Sequence, residues 1–81
     1  MSDKIIQDIE NEIQHLVFEE YRKEQKVWIE ARNIPHLRKL LGEARTLKRS
    51  LVGDFCRYVH DIASPQSRLS ALASSLYHES R

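Results

Sequence analysis

Five basic side chains lie close together in the segment 38–49 of this 81-residue chain, and they are the residues best suited to bind a charged partner. They are Arg38, Lys39, Arg45, Lys48 and Arg49. Guanidinium and ammonium groups bind carboxylates and phosphates through charge-assisted hydrogen bonds. On one continuous helix, the spacing of Arg38, Arg45 and Arg49 would set all three on the same face. The segment therefore predicts a basic surface for an acidic protein or for the phosphates of a nucleic acid.

Composition favours a protein over a nucleic acid as the partner of this surface. The sequence pI of about 7.9 is below the value of about 9 expected of a nucleic-acid-binding domain. No aromatic residue is interleaved with the basic ones. We therefore predict a small non-enzymatic interaction protein, a regulator, adaptor or assembly subunit that binds a protein partner. A nucleic-acid-binding regulator that uses the same basic residues is the alternative.

Trp28 is the single tryptophan of the chain, and it lies shortly before the first clear turn signal. One interpretation is that its ring covers the end of the hydrophobic core. The other is that the ring is exposed and anchors a partner, because tryptophan is enriched at interaction hot spots. We include Trp28 among the expected partner-binding residues.

The charge of the chain is strongly asymmetric, although its formal net charge is only +1. Residues 1–20 carry six acidic side chains and one lysine, whereas residues 36–49 carry five basic side chains and one glutamate. Such separation of charge indicates association with an oppositely charged surface. The N-terminal segment of a second copy is the nearest acidic surface. We therefore expect a homodimer in which the chains associate head to tail.

The residues that could catalyse a reaction or bind a metal are scattered along the sequence. The four histidines are His15, His36, His60 and His78. No two of them have the i, i+4 spacing of a helical zinc site. Glu12, His15 and Glu19 could share one helix face, but no matching Glu-x-x-His pair follows in the next helix. Cys56 lies beside apolar residues and is expected to be packed and inert. We therefore predict no catalytic residue, metal ligand, cofactor or small-molecule substrate.

The spacing of apolar residues predicts three helices that would position these side chains. Asn33-Ile34-Pro35 marks a boundary, because proline disfavours helical backbone in the preceding residue and asparagine favours the N-cap. Ser64-Pro65 gives a similar signal. The apolar pattern thins over residues 19–26, but that stretch contains no glycine or proline that would end a helix. The expected helices span about 3–32, 35–63 and 65–79.

Gly42 and Gly53 lie inside the second predicted helix. Each costs up to about 1 kcal/mol of helix propensity relative to alanine. Close approach of another helix would explain such a glycine, and an exposed and slightly weak position would explain it equally well.

The predicted fold is all-α, with a single domain over residues 1–81. A short turn makes the two long helices antiparallel neighbours, each about 40 Å long at about 1.5 Å per residue. Such a hairpin, with one short C-terminal helix, would leave part of its broad apolar stripes in water. A dimeric helical bundle would bury that remainder. Residues expected in the core and the dimer interface are Ile9, Ile13, Leu40, Leu47, Leu51 and Phe55.

The sequence predicts a cytoplasmic protein. No apolar run approaches the ~18 residues of a membrane span, and the N-terminus lacks the basic start and apolar centre of a signal peptide. A single cysteine excludes an internal disulfide and is typical of a reducing compartment. A membrane partner is not expected, because each helix needs its apolar face for the core.

Overall fold

The computed structural model describes residues 2–18, 23 and 29–80, and within these ranges it is all-helical, as predicted. No strand occurs in the described ranges. A 3-10 turn, Ala31–Asn33, leads into the helix that begins at Ile34. The α-helices are α1 (Ser2–His15), α2 (Ile34–Ala44), α3 (Arg49–Ile62) and α4 (Arg68–Glu79).

The first helix ends earlier than predicted. After His15 the backbone tightens, with the Val17 N–H donating to the Gln14 carbonyl at 3.2 Å and the Phe18 N–H donating to the His15 carbonyl at 3.0 Å. Such i→i−3 bonds are typical of a helix end. Residues 29 and 30 are also non-helical, so a continuous helix over 3–32 is wrong. Residues 19–22 and 24–28 lie outside the described part of the chain.

The second predicted helix is broken in its centre, so continuity over 35–63 is wrong. The Thr46 hydroxyl donates to the Glu43 carbonyl at 3.0 Å, and the Leu47 N–H donates to the Ala44 carbonyl at 3.0 Å. Leu47 has a φ of 59°, a left-handed conformation that costs a non-glycine residue about 1–2 kcal/mol. Its side chain packs against the core, and this burial offsets the strain. Lys48 then has extended backbone and begins α3.

The last helix agrees with its prediction except at its first turn. Its N-cap is Ser67 rather than Ser64, and the Ser67 hydroxyl accepts the Ser70 N–H at 3.2 Å. The Ser70 hydroxyl in turn donates to the Ser64 carbonyl at 2.9 Å. Because the side chain of Ser70 bonds back to the loop, the cap forms one residue before Arg68.

The hydrophobic core of the described residues lies between α1, α2, α3 and α4. Helix α1 packs closely on α4, α4 on α3 and α3 on α2, whereas α1 and α2 touch each other much less. The radius of gyration is 11.6 Å, close to the roughly 11.7 Å expected of a compact domain of this length. Fully buried core residues include Ile9, Ile13, Leu16, Leu37, Val52, Phe55, Val59, Leu69 and Leu76.

The residues expected in the core and dimer interface divide into two groups. Ile9, Ile13 and Phe55 are fully buried within the single chain, whereas Leu40, Leu47 and Leu51 are partly exposed. Two predicted helices of about 40 Å do not exist, because the molecule measures 34 Å along its longest axis. Within the described ranges, no helix is long and apolar enough to cross a membrane.

Candidate partner-binding cleft

The break after α2 divides the five basic residues of the predicted binding surface. Arg38 and Lys39 lie on α2, Arg45 is its C-cap, Lys48 is the N-cap of α3, and Arg49 is the first residue of α3. All five side chains are exposed. The alignment of Arg38, Arg45 and Arg49 on one face required a continuous helix, so that alignment is wrong. Trp28 lies outside the described residues.

Arg38 and Arg45 line an open cleft between α1 and α2, which we call the α1–α2 cleft. Its volume is about 460 Å³. Helix α1 contributes three residues at the i, i+3, i+4 spacing of one helix face. These are Glu10, Ile13 and Gln14, and the residues on the other side are Arg38, Leu41, Gly42 and Arg45. Ile13 and Leu41 are almost completely buried, so the base of the cleft is apolar and its edges are polar.

Gly42 leaves the middle of this cleft empty. A Cβ atom built on Gly42 would have no heavy atom within 4 Å outside its own helix and chain neighbours. Gly42 is exposed, so close approach of another helix does not explain it. An interior helical glycine costs about 1 kcal/mol relative to alanine, and in the described structure no contact offsets that cost. The absent side chain instead leaves room between Arg38 and Arg45.

The charges of the cleft are only partly neutralised within the chain. Arg45 forms an ion pair with Glu10 across the cleft. Arg38 has no carboxylate partner among the described residues. The two arginines are seven positions apart, which is about 10 Å along the helix axis. The cleft therefore presents two guanidinium groups, two helical turns apart, above an apolar base, with an excess of one positive charge.

The other predicted binding residues do not line this cleft. Arg49 points to α4, where its guanidinium donates to the Tyr77 hydroxyl at 3.3 Å and lies 5.5 Å from the centre of the Tyr77 ring. Lys39 and Lys48 are exposed and line neither the cleft nor the region around Tyr77. The structure thus brings together two of the five basic residues, and it places a third beside an aromatic ring.

Three of the residues considered for catalysis or metal binding, Cys56, Glu12 and His36, have structural contacts in the described part of the chain. Burial raises the pKa of the Cys56 thiol to about 11, an effect only partly offset by the Tyr77 backbone N–H. The thiol donates to the Ala73 carbonyl at 3.0 Å. Glu12 is buried beside Arg68, with 3.5 Å between their charged groups. His36 contacts the ring of Tyr58 edge-on, with 4.8 Å between ring centres. In the described ranges, no three potential metal-binding side chains cluster together.

Glu10, Gln14 and Gly42 are the cleft residues that sequence reasoning missed. The position of Gly42 between Arg38 and Arg45 was a local signal, because the three residues share one helix face. No local signal pairs Glu10 with Arg45, since that contact depends on the tertiary fold. A comparison with protein-family models, curated proteins and solved structures finds no match to this chain. The function is therefore inferred from the chemistry of these side chains.

Proposed function

We propose that this chain is a small non-enzymatic interaction protein of the cytoplasm that binds an acidic segment of a protein partner in the α1–α2 cleft. In this role it would act as a regulator, adaptor or assembly subunit. The observation that carries the proposal is the pair Arg38 and Arg45, held on either side of Gly42 above buried Ile13 and Leu41. Among the described residues Arg38 has no carboxylate partner, Arg45 pairs with Glu10, and a Cβ at Gly42 between them would meet no neighbour.

The geometry of the cleft indicates the chemistry of the bound segment. Carboxylates about 10 Å apart along an α-helix are two turns apart, so a helical partner with acidic residues at i and i+7 fits the two arginines. A small apolar side chain between those acidic residues would fit above Gly42. Exposed ion pairs contribute only about 0–1 kcal/mol each, and Ile13 and Leu41 leave little apolar surface to cover, so we expect a single segment to bind weakly.

The chemistry of Cys56 gives no support to a nucleophilic role for this residue. Its raised pKa keeps the thiol protonated at neutral pH, whereas the thiolate is the reactive form. Its hydrogen bond to the Ala73 carbonyl gives it a structural role.

Homodimerisation is a second part of the proposal. Val17 and Phe18 are adjacent, follow α1 and are 53% and 65% exposed. Aromatic residues are enriched in protein interfaces, and burying two such side chains against a second copy would contribute a few kcal/mol. The acidic N-terminal and basic central segments would then orient two chains head to tail. The proposed dimer contact is smaller than that of the predicted dimeric bundle, because most of the core is already buried within one chain.

Nucleic-acid binding is the competing outcome. This alternative depends on basic side chains aligned along one face of a continuous helix, and the turn at residues 45–48 interrupts that helix. A nucleic acid would be held by many cations at once. Its affinity would therefore fall steeply with salt, and loss of any exposed lysine or arginine would weaken it similarly.

The test is a selection from a displayed library of random 15-residue peptides, followed by affinity measurement with chain variants. We expect the selected peptides to carry two or more acidic residues around an apolar one. Arg38→Glu should weaken their binding at least tenfold. Lys39→Glu is the matched control, because Lys39 adjoins Arg38 and is exposed but lies outside the cleft; it should change the affinity less than threefold.

Gly42→Leu tests the cleft without changing charge. A Cβ at Gly42 meets no neighbour, and the rest of the leucine would occupy the space proposed for the partner, so binding should again fall at least tenfold. Selected peptides without acidic residues, or equal losses in the Arg38 and Lys39 variants, would contradict the proposal. Preferential binding of a DNA or RNA duplex, with a steep salt dependence, would support the alternative.

The dimer is tested separately by light scattering. Phe18→Ser should shift the measured mass from dimer to monomer, and a monomeric parent chain at ~100 μM would disprove the dimer.

A further inference from the structure

A second concave region lies between α3 and α4, away from the cleft, and we call it the α3–α4 groove. Its volume is about 560 Å³, within the usual range for small-molecule sites. Helix α3 contributes Arg49, Gly53, Arg57 and His60, and α4 contributes Tyr77 and His78. The α3 residues are spaced i, i+4, i+8 and i+11, which sets them on one helix face. One face of α3 therefore forms one wall of the groove, and α4 forms the other.

The groove collects positively charged and hydrogen-bonding side chains. Two arginines and two histidines line it, and Asp54 is its single carboxylate. The net charge of these side chains is therefore positive even when both histidines are neutral. Serine hydroxyls from Ser50 and Ser74 complete the polar lining. This combination of guanidinium, imidazole and hydroxyl groups is suited to phosphate oxygens.

Arg49 is held in position before any ligand binds. Its guanidinium donates to the Tyr77 hydroxyl at 3.3 Å and lies 5.5 Å from the ring centre, within the range of a cation–π contact. Neither contact neutralises the charge of Arg49, in contrast to the carboxylate that pairs with Arg45. Preorganised side chains lose less conformational entropy when a ligand binds. Arg49 is therefore both charged and partly ordered.

Gly53 shapes the middle of the groove. A Cβ at Gly53 would lie 3.7 Å from the Tyr77 ring, so the ring sits close against this part of α3. Longer side chains at this position would displace the ring and fill the space between Arg49 and Arg57. These two arginines are eight residues apart, about 12 Å along the axis, and their long side chains can converge on a ligand between them.

We propose that the α3–α4 groove is a binding site for a small molecule that carries a diphosphate or two phosphoryl groups. Arg49 and Arg57 bind the two ends of the polyanion, and His60, His78 and the serine hydroxyls donate hydrogen bonds to the remaining oxygens. The site is separate from the α1–α2 cleft, so it does not depend on the function proposed for that cleft.

The test uses inorganic pyrophosphate as the probe and the full chain labelled with ¹⁵N. At about 150 mM chloride, we expect saturable shifts of the amide signals of Gly53, Arg57 and Tyr77. Arg57→Gln should weaken pyrophosphate binding at least tenfold. Lys39→Gln removes the same charge from an exposed position outside both sites, and it should change the affinity less than twofold. Tyr77→Phe removes the hydroxyl that holds Arg49 and should weaken binding about two- to fivefold.

Several outcomes would overturn this site. Shifts that do not saturate by 10 mM pyrophosphate, or equal losses in the Arg57 and Lys39 variants, would show only general attraction of anions. Tighter binding of tetraglutamate than of pyrophosphate would assign the groove to an acidic peptide instead. Arg38→Glu should leave pyrophosphate binding unchanged, and a loss in that variant would relocate the probe to the α1–α2 cleft. Amide spectra of each free variant verify that its fold is retained.

Discussion

The α1–α2 cleft and the α3–α4 groove use similar residues in opposite ways. Each contains two arginines and a helical glycine, but the helices around the cleft barely touch, whereas those around the groove are closely packed. Gly42 faces open space, while Gly53 receives the Tyr77 ring. A glycine within an amphipathic helix can therefore mark either a gap or a close contact. The neighbouring element decides which of the two applies.

The arginines of the two regions differ in whether a carboxylate of the same chain neutralises their charge. Arg45 pairs with the carboxylate of Glu10, so its charge is neutralised within the chain. Arg49 instead contacts the hydroxyl and ring of Tyr77, which order the side chain and leave its charge in place. An anionic ligand must compete with Glu10 in the cleft, whereas it has no such competitor at Arg49.

The largest expected effect tests whether the closely packed side of the molecule supplies its stability. Phe55 on α3 is fully buried, so Phe55→Ala should lower the free energy of unfolding by about 3–5 kcal/mol. Phe18→Ala is the matched control, because Phe18 is 65% exposed, and its effect should stay within about 0.5 kcal/mol. Urea unfolding at low protein concentration measures both values. Equal losses would mean that the Phe18 side chain is packed in solution.

A leucine added on each side tests the difference in packing directly. Ala73 on α4 is fully buried, so Ala73→Leu should overpack the core and cost about 3 kcal/mol. A Cβ at Gly42 meets no neighbour, so Gly42→Leu should instead leave stability unchanged or raise it by up to about 0.8 kcal/mol. Thermal unfolding followed by circular dichroism compares the two. A large loss in Gly42→Leu would show that the cleft is closed.

Cys56 also lines the α3–α4 groove, and it should make the stability of the protein sensitive to alkaline pH. The pKa of the Cys56 thiol is about 11 in the folded protein, raised by burial above its ordinary value of 9.0. The folded state therefore binds the thiol proton more tightly, and stability is lost as the pH rises from about 9 to about 11. The loss should be of the order of 2 kcal/mol.

Cys56→Ser supplies the control for this pH dependence. Serine does not titrate in this range and can donate the same hydrogen bond to the Ala73 carbonyl. The difference in unfolding free energy between parent and variant should therefore change between pH 8 and pH 11. A constant difference would place the Cys56 side chain in solvent, and rapid modification by a thiol reagent at pH 8 would lead to the same conclusion.

The smallest expected effect concerns alanine at the two glycines. Gly42→Ala and Gly53→Ala should each stabilise the protein by about 0.5–1 kcal/mol, because both positions are helical and neither added methyl meets an atom closer than 3.7 Å. Measurements of ligand binding should distinguish the two variants. Gly42→Ala should weaken only the acidic peptide, and Gly53→Ala should affect only pyrophosphate.

Hydrophobic spacing predicted the all-helical fold, and it could do so because burial at every third or fourth residue is a local property. It could not predict the break at Leu47, since no glycine or proline marks that turn and the strain of a left-handed leucine is offset by tertiary packing. The choice between Ser64 and Ser67 as the N-cap also depended on a contact, the hydrogen bond from Ser70 to the loop.

The candidate sites were less predictable than the helices. Arg38 and Arg45 were expected to bind a partner, and the structure places them in one cleft. The ion pair with Glu10 joins residues far apart in the sequence, and the groove around Arg49 requires α3 and α4 to meet. Neither contact produces a recognisable pattern in the sequence around the residues involved. The sequence therefore showed which residues are charged, but it did not show whether each charge is paired within the chain or free to bind a partner.

The close packing of α1 on α4 has a consequence for the order in which the protein folds. Helix α1 packs on a helix that is translated more than fifty residues later. On the ribosome, α1 must therefore wait with its apolar face uncovered until α4 has been synthesised, while α2 and α3 can already pair. The loop closure that joins the first helix to the last should limit the folding rate, and a chaperone that shields α1 would have its greatest effect in that interval.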